Sequence, residues 1–488
     1  MGTASDERRV LDSIPTQLHI GGEWVDGRHG ETICVEDPAT EEPLVDVASG
    51  DQDDALAALD AACAAQSQFA AMAPMARGEI LRKAYEAMKE RAEDLALLMT
   101  LEMGKPLDEA RTEITYAADF LRYYAAEASR ISGHYGASVS GTGRVLVMQQ
   151  PVGPAILITP WNFPMAMGTR KVGPAIAAGC TMIWKPAAQT PLCALALTQI
   201  FEQAGLPPGV LNLVLAKSAG ATMEPVILDG RARKLSFTGS TAVGRTLIAQ
   251  AASNVLNVSM ELGGNAPFLV FDDADLDTAV EGALLAKMRN IGQACVAANR
   301  FYVAEPMVEQ FTTMLAARMR GLRLGRGTDV DVDVGPLIDD SQQRKVNDLV
   351  GDAVAKGGEA IVGGKIPDGR GYFFEPTVLA NVPEHARLLK EEIFGPVAPI
   401  SSFTSEEEAI AAANDTEFGL VAYVFTKDMT RAMRVCEHLQ TGMVGLNQGV
   451  VSNVAAPFGG VKQSGLGREG GRWGIEEFLE PKYVAMNV

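Results

Sequence analysis

The chain has 488 residues, too many for one hydrophobic core, so two or three domains are expected. Its composition, 47% hydrophobic and 21% charged, is ordinary for a globular enzyme. The formal net charge of −19 argues against a nucleic-acid or anionic-membrane partner, because both need a basic protein face. A small anionic substrate is not excluded, since a local pocket can be basic within an acidic protein.

The N-terminus and the cysteines together predict a cytoplasmic location. The opening MGTASDERRV is polar and lacks the apolar run of a secretory signal. No stretch of about 18 apolar residues, the length that spans a bilayer, occurs in the sequence. The six cysteines show neither a CxxC pair nor metal-ligand spacing, so we expect free thiols in a reducing compartment and no metal site.

The N-terminal part of the chain predicts a short β segment followed by helices. The β segment is QLHIGGEWVDG, residues 17–27. Apolar residues at helical spacing predict helices over DDALAALDAACAAQSQF and ARGEILRKAYEAMKERAEDLALLMTLEMGK. A weak alternation of apolar and polar residues predicts a strand over GRVLVMQQPVG, residues 143–153.

From residue 154 the pattern changes to short apolar strands separated by helices. The strands are AILITP, TMIWKP, VLNLVLA and KLSFTGS, and helical segments such as PLCALALTQIFEQAG lie between them. This alternation is typical of a parallel sheet with crossover helices. A second α/β run starts near residue 265 and continues past residue 440, so we expect two α/β domains with a boundary near MELGGN.

Polar residues end three of these strands, where the carboxyl edge of a parallel sheet binds ligands. They are Asn162, Lys185 and the TGSTAVG stretch at 238–244. Gly239 and Ser240 would begin a helix whose free N–H groups favour a pyrophosphate. The G-x4-G spacing is not the usual dinucleotide motif, so a simple capped turn is the alternative there, and a solvated charge is the alternative for Lys185. The shared edge favours cofactor binding.

Three residues are candidates for catalysis. Asn162 lies in a turn, where Asn usually caps its own loop, although its side-chain N–H could stabilise an oxyanion. Glu261 ends an apolar strand, where a carboxylate near apolar walls has a raised pKa and can act as a base. Cys295, in NIGQACVAANR, is surrounded by small residues that leave room for a ligand, and a buried packing cysteine is the alternative.

Six motifs along the chain resemble those of the NAD(P)-dependent aldehyde dehydrogenase superfamily. In order they are PWNFP, FTGSTAVGR, MELGGNAP, GQACVAANR, EEIFGPV and PFGGVKQSGLGRE. The resemblance covers about residues 17–485. Longer strings look most like the succinate-semialdehyde dehydrogenase branch, namely WNFPMAMGTRK, APFLVFDDADLD, RNIGQACVAANRFYV and VVSNVAAPFGG.

The resemblance implies an aldehyde dehydrogenase-like α/β fold with two Rossmann-like domains and a small β oligomerisation arm. It places the cofactor-binding domain at residues 1–128 and 152–263 and the catalytic domain at 264–463. Residues 129–151 and 464–488 would form the arm and the C-terminal segment. The strand at 143–150 and the C-terminal EPKYVAMNV would pair across subunits, giving a homodimer or a homotetramer.

The resemblance also implies a covalent mechanism. Cys295 would attack the aldehyde carbon as a thiolate, and the Asn162 amide with the Cys295 backbone N–H would hold the oxyanion. After hydride leaves for the nicotinamide, Glu261 would activate the water that hydrolyses the thioester. The positions that match the family's cofactor-binding residues are Trp161, Lys185, Ala188, Gly239, Ser240, Glu392 and Phe394.

Two positions depart from the pattern of related enzymes. NAD-preferring members often carry a Glu at the position of Ala188, where it binds the adenine ribose. That carboxylate is absent here while Lys185 remains, which favours NADP, with NAD as the alternative. Some members of the branch carry a second cysteine two positions after the nucleophile. Here the residue is Ala297, so we expect no redox-switch disulfide.

The branch implies an anion-binding substrate site formed by Arg170, Arg289, Ser452 and Phe458. Arginine offers a rigid fork to a carboxylate, and a surface or ion-paired arginine is the alternative at each position. We therefore expect a short ω-carboxy aldehyde, succinate semialdehyde first. Glutarate semialdehyde is a competitor, because one methylene discriminates by only about 1–3 kcal/mol. The presence of Glu261 and Cys295 argues against an acylating dehydrogenase and against a non-catalytic nucleotide-binding relative.

Overall fold

The computed structural model describes residues 3–487. Fifteen α-helices occur in this part of the chain. They are α1 Ala4–Asp12, α2 Gln52–Ala70, α3 Pro74–Glu90, α4 Ala92–Met103, α5 Leu107–Glu127, α6 Pro164–Ala178, α7 Pro191–Gln203, α8 Ala219–Leu228, α9 Thr241–Ala252, α10 Leu276–Met288, α11 Val308–Arg320, α12 Asp340–Ala355, α13 Glu406–Asn414, α14 Met429–His438 and α15 Gly471–Glu476. None of these described helices is long and apolar enough to cross a bilayer.

Twenty strands occur in the same described residues. They are β1 Leu18–Ile20, β2 Glu23–Val25, β3 Thr32–Asp37, β4 Glu42–Ala48, β5 His134–Ala137, β6 Arg144–Pro151, β7 Ala155–Ile158, β8 Met182–Lys185, β9 Leu211–Leu213, β10 Lys234–Thr238, β11 Asn257–Glu261, β12 Ala266–Val270, β13 Ala298–Ala304, β14 Glu359–Val362, β15 Thr377–Ala380, β16 Val397–Phe403, β17 Val421–Phe425, β18 Met443–Leu446, β19 Gly465–Leu466 and β20 Leu479–Met486.

The first large sheet has the strand order β19-β11-β10-β7-β8-β9-β1-β2. Strands β11, β10, β7, β8 and β9 run parallel, as the strand-helix alternation predicts. Both faces are covered: Ile156 and Ile183 pack in one hydrophobic cluster with α2, α8 and α9, whereas Leu157 and Trp184 pack in the other with α6 and α7. Burial on both faces explains why these strands are continuous apolar runs.

The second large sheet has the strand order β14-β15-β16-β13-β12-β17-β18. Its strands are parallel except for β14, which runs antiparallel to β15. Strands β12 and β17 are buried along their whole length. The sequence prediction of two successive α/β sheets is therefore confirmed, with the connection Leu262–Asn265 between the end of β11 and the start of β12.

One long predicted helical stretch is divided in the structure. The stretch ARGEILRKAYEAMKERAEDLALLMTLEMGK forms α3 and α4, which meet at Arg91. Helix α3 begins at Pro74, whose fixed φ suits a first helical position. Helix α4 ends at Gly104, which adopts a left-handed φ of 91° that other residues disfavour.

A three-stranded sheet, β20-β6-β5, contains both segments for which the sequence predicts pairing across subunits, the strand at 143–150 and the C-terminal segment. The pairing across subunits stays a prediction. Within this chain the two segments pair with each other, antiparallel from Leu479 opposite Pro151 to Met486 opposite Arg144. The reason is local: α15 ends three residues before β20 begins, and the N–H of Val152 donates to the carbonyl of Phe478, which starts the ladder.

Candidate active site

The carboxyl ends of the central parallel strands lie at one edge of the first sheet. Ile158 of β7 is in register with Lys185 of β8, and Thr238 of β10 with Glu261 of β11. The chain beyond β7 turns through Trp161 and Asn162 into α6. Beyond β10, Ser240 caps α9, and its Oγ accepts a hydrogen bond from the backbone of Val243 at 3.4 Å. The helix start predicted from TGSTAVG is therefore present at the edge.

A cavity of about 200 Å³ lies at this edge and contains eight of the fourteen residues that the sequence predicts for the site. We call it the thiol cavity. These eight residues are Trp161, Asn162, Gly239, Ser240, Glu261, Cys295, Glu392 and Phe394. Its lining also includes Gln342 and Lys345 of α12, which no sequence pattern predicted. Polar residues on a helix are usually solvent-exposed, so no local signal distinguishes these two.

Cys295 is half-buried on the loop between α10 and β13. The β11–β12 connection approaches this loop closely, and a Cβ on Gly264 would lie 2.4 Å from the Cys295 carbonyl oxygen. Burial raises the pKa of the thiol to about 12, while the nearby Arg170 charge opposes the rise. The thiol is therefore protonated at rest near neutral pH, and it needs a base before it can act as a nucleophile.

Glu261 is buried, with 3% of its surface exposed. Neither of its carboxyl oxygens has a hydrogen-bond partner among residues 3–487. Burial raises its pKa well above the usual range, and the negative charge of Glu469 adds to the rise. Gly459 makes room for it, since a Cβ there would lie 2.7 Å from Oε1. A carboxyl group of this kind is a competent base near neutral pH.

The side-chain amide of Asn162, which lines the same cavity as Cys295, and the backbone N–H of Cys295 itself are two N–H donors near the thiol. Asn162 is buried, and its Nδ2 donates to the carbonyl of Gln293 at 3.0 Å. An amide nitrogen carries two hydrogens, so one remains for a ligand. The backbone N–H of Cys295 donates to no carbonyl within residues 3–487. Two such donors can stabilise an oxyanion formed on a carbonyl that Cys295 attacks.

Beyond Phe163 is a second and larger cavity of about 760 Å³, which we call the arginine cavity. Arg289 and Ser452 both line it, and Arg289 Nη1 donates to Ser452 Oγ at 2.9 Å. The Arg289 guanidinium also lies 5.2 Å from the centre of the Phe163 ring. A guanidinium held by a neutral hydroxyl retains donors for an incoming carboxylate.

Arg170 is not in the arginine cavity. It is fully buried on α6, where its Nε lies 2.5 Å from Glu469 Oε2 and its guanidinium 4.2 Å from the centre of the Phe458 ring. The structure therefore gives it an internal carboxylate partner, the ion-paired alternative that the sequence left open. The adjacent Lys171 pairs with the same Glu469, and it also donates to Ser236 Oγ at 2.9 Å.

These three residues form what we call the buried charge cluster: Arg170, Lys171 and Glu469. Burial raises the pKa of Glu469, but the two cations outweigh burial and lower it below its usual value. Neither Lys171 nor Glu469 was predicted from the sequence. Consecutive basic residues in an apolar helix are a signal that could have indicated a buried partner for Lys171.

The residues that match cofactor-binding positions lie either in the lining of the thiol cavity or at and just after the end of β8. In the thiol cavity, the rings of Trp161 and Phe394 meet edge to face at 5.4 Å. Glu392 accepts a hydrogen bond from the Gly264 backbone at 3.0 Å, and burial raises its pKa to about 7. Lys185 is buried at the end of β8, and burial lowers its pKa to about 8. Ala188 is half-buried shortly after it.

Comparison with known proteins gives the family. The aldehyde dehydrogenase family matches residues 24–484. The chain belongs to the aldehyde dehydrogenase family. A succinate-semialdehyde dehydrogenase of Paenarthrobacter nicotinovorans is 55% identical to this chain, over 91% of this chain and 98% of that protein.

Two further comparisons bear on substrate and cofactor. A glutarate-semialdehyde dehydrogenase of Pseudomonas putida is 50% identical to this aldehyde dehydrogenase, over 97% of this chain and 98% of the relative. The crystal structure of an NADP-dependent enzyme of E. coli superposes with a TM-score of 0.96 at 50% identity. That match covers 97% of this chain and 98% of the E. coli chain. The fold and the resemblance inferred from the sequence motifs are confirmed.

Proposed function

We propose that this aldehyde dehydrogenase oxidises a short ω-carboxy aldehyde, succinate semialdehyde first, to the corresponding dicarboxylate with NADP⁺. The observation that carries the proposal is the position of Cys295 and Glu261 in one cavity, with the Arg289–Ser452 pair in a second cavity beyond Phe163. This arrangement would offer one substrate a nucleophile, a base and an anion site.

The catalytic cycle starts from a neutral thiol. Glu261, with its raised pKa, accepts the Cys295 proton, directly or through a water, as sulfur attacks the aldehyde carbon. The second Asn162 amide hydrogen and the Cys295 backbone N–H stabilise the resulting oxyanion. Addition of sulfur makes the carbon tetrahedral, so collapse of the oxyanion can expel hydride.

Bound NADP⁺ supplies the hydride acceptor. Loss of hydride from the Cys295 adduct leaves a thioester on Cys295. Glu261 then deprotonates the water that hydrolyses this thioester. In sum, aldehyde, NADP⁺ and water give carboxylate, NADPH and two protons. An acylating enzyme would use coenzyme A at this step, and the buried Glu261 favours water instead.

The residues at the sheet edge fit a nicotinamide dinucleotide. The capped start of α9 offers backbone N–H groups to a pyrophosphate, and Trp161 and Phe394 form an aromatic wall beside Cys295. Glu392 would bind the ribose on the nicotinamide side. Lys185 has no ion pair within residues 3–487, and burial alone lowers its pKa, so it would bind the other ribose or its phosphate.

We infer NADP preference from Ala188, where no carboxylate is available to repel a 2′-phosphate. Replacing Ala188 by Glu should shift the ratio of kcat/KM for NADP⁺ over NAD⁺ towards NAD⁺ by about tenfold or more, equivalent to about 1.4 kcal/mol. Ala188→Ser is the matched control. An unchanged ratio in Ala188→Glu would contradict the assignment.

Arg289 and Ser452 would bind the substrate carboxylate. Because Arg170 already has Glu469 as its partner, we assign it a weaker role, an electrostatic one through its charge near Cys295. Phe458 packs on Arg170 and would act with it. Glutarate semialdehyde stays a second candidate substrate, since the Pseudomonas putida relative bears that name.

The deciding experiment follows NADPH absorbance with succinate semialdehyde, glutarate semialdehyde and propanal. Wild type should turn over the two anionic aldehydes with the larger kcat/KM, and Cys295→Ala should abolish turnover. Cys436→Ala, at a half-buried thiol outside both cavities, is the matched control. Equal kcat/KM for all three aldehydes would contradict the substrate class, and activity in Cys295→Ala would contradict the mechanism.

We further propose a cytoplasmic homodimer or homotetramer, with the domain division at 1–128 with 152–263, 264–463, and 129–151 with 464–488. Six free thiols are typical of a reducing compartment. The three-stranded sheet exposes Tyr135 and Tyr483, as an interface would. Light scattering measures the assembly directly.

A further inference from the structure

The first part of the loop that carries Cys295, between α10 and β13, has an unusual backbone. Asn290, Ile291 and Gly292 all adopt positive φ, at 56°, 61° and 73°. A left-handed conformation is costly for a β-branched residue such as Ile, and strained segments of this kind persist only where their surroundings hold them. Gly292 could not be another residue, because a Cβ there would lie 2.2 Å from the Gly395 carbonyl oxygen.

The side chain of Asn290 bridges two loops. It is fully buried, and its Nδ2 donates to the carbonyl of Asn162 at 2.9 Å and to the carbonyl of Gln293 at 2.9 Å. The Gln293 carbonyl also accepts the Asn162 side-chain amide. One amide group therefore ties the Asn162 turn to the backbone two residues before Cys295.

Helix α5 and the residues before it support both ends of this bridge. Lys105 Nζ donates to the same Asn162 carbonyl at 2.9 Å and pairs with the buried Glu113. Glu113 in turn accepts the first backbone N–H groups of α6, at 3.0 and 3.1 Å. On the other side, the Asn290 backbone N–H donates to Glu109 at 2.7 Å. The bridge is thus anchored in packed structure.

We propose that Asn290 is a positioning residue that fixes the spacing between the two oxyanion donors, the Asn162 amide and the Cys295 backbone N–H. The inference rests on the proposed function of those donors. Asn290 does not line the thiol cavity, so it acts through Asn162 and Gln293. The Asn290 amide donates to the backbone carbonyls of Asn162 and Gln293. The Asn162 side-chain amide uses one of its two hydrogens on Gln293, so the other remains for the substrate oxygen.

The chemistry of the position explains why Asn suits it. Two carbonyl oxygens converge on one nitrogen, which requires two donors and no negative charge. The left-handed backbone is one that Asn and Gly adopt more readily than other residues. Replacement by Gly therefore removes the bridge with the least backbone cost, while replacement by Asp keeps the shape and reverses the hydrogen bonding.

We expect Asn290→Gly and Asn290→Asp to lower kcat by about tenfold to a hundredfold, less than the 10²–10³-fold loss of a whole oxyanion donor. KM for succinate semialdehyde should stay within about threefold of wild type, because the arginine cavity is unchanged. The rate at which iodoacetamide alkylates Cys295 should also stay within about threefold, because alkylation forms no oxyanion. If Asn290→Gly does not fold, the same measurements on Asn290→Asp test the proposal.

A double-mutant comparison tests whether Asn290 acts through Asn162. In the Asn162→Ala background, Asn290→Gly should lower kcat by a clearly smaller factor than in wild type. A multiplicative loss, an unchanged kcat in both Asn290 variants, or an equal loss of alkylation would overturn the proposal. If Asn162→Ala itself keeps the wild-type kcat, the oxyanion assignment fails instead, so the two failures are distinguishable.

Discussion

The thiol cavity and the buried charge cluster contain carboxyl groups of similar burial and opposite character. Glu261 has 3% of its surface exposed and Glu469 has 5%. Burial raises the pKa of both, but Glu469 adjoins Arg170 and Lys171, which reverse the shift, whereas Glu261 has no hydrogen-bond partner among the described residues. The carboxylate of the cluster is therefore ion-paired within the protein, and the carboxyl group in the thiol cavity is the one that we propose for proton transfer.

The two arginines differ in the same way. Arg170 forms an ion pair with Glu469, whereas Arg289 forms no ion pair among residues 3–487 and donates to the neutral hydroxyl of Ser452. The negative charge of Glu109, which lines the same cavity, is close enough to interact with Arg289. We expect an arginine without an ion pair to be available to substrate and a paired arginine to stabilise the fold. Five measurements test this division.

The largest expected effect is on turnover in Glu261→Gln. Loss of the base should lower kcat by about a thousandfold, within the range of general-base contributions. Steady-state NADPH absorbance measures it, with Glu261→Asp as the variant that retains a carboxylate. A kcat within tenfold of wild type would remove Glu261 from the mechanism.

Glu469→Gln should lower the free energy of unfolding. It leaves Arg170 and Lys171 buried without a carboxylate, and breaking a buried ion pair costs about 3 kcal/mol or more. Urea unfolding followed by circular dichroism gives the change in free energy. The exposed pair of Arg318 and Glu281 supplies the control, because Glu281→Gln should change stability by less than about 1 kcal/mol. Equal losses would show that the cluster is not a structural ion pair.

Arg289→Ala should raise KM for succinate semialdehyde by about a hundredfold, corresponding to about 2.7 kcal/mol of carboxylate binding. KM for propanal should change by less than about threefold, because propanal has no carboxylate. Ser452→Ala should show the same selectivity with a smaller effect. An equal rise for both aldehydes would place Arg289 outside the substrate site.

The smallest expected effect is a pH-dependent gain of stability in Glu261→Gln. A carboxyl group whose pKa is raised by folding binds its proton more tightly in the folded state, so it lowers stability as pH rises above its ordinary value of 4.5. Relative to wild type, the variant should gain stability as pH rises from 4.5 to 8, measured as the difference in free energy of unfolding at the two pH values. A pH-independent difference would contradict the raised pKa.

The same pKa shift gives the sign of the activity profile. Because Glu261 must be ionised to act as a base, kcat should rise with pH through its raised pKa rather than near 4.5. A plateau that extends down to pH 5 would conflict with the buried, unpaired carboxyl group.

Sequence patterns were sufficient for the elements of the parallel sheets and for the residues at their carboxyl edge. Strands buried on both faces must be apolar along their length, and the helices between them must be amphipathic, so the alternation is visible in the letters alone. Glu261 and Asn162 could be selected because they lie at or just after the ends of such strands, and Cys295 because small residues surround it. Asn162 and Glu261 are close because they follow strands that share an edge of the first sheet, whereas Cys295 enters the same cavity on the loop before β13 of the second sheet.

What the sequence could not determine depends on residues distant along the chain. Lys171 meets Glu469 across 298 positions, and that contact decides that the α6 cations belong to a structural cluster. The pairing of β20 with β6 within one chain depends on the position of α15, which places the start of the C-terminal strand beside β6. The resting protonation of Cys295 and the bridge made by Asn290 depend on burial and on hydrogen-bond geometry, which no spacing of residues encodes. Sequence determined the chemistry available to this protein, and tertiary structure decided which groups are neutralised internally and which remain free to react.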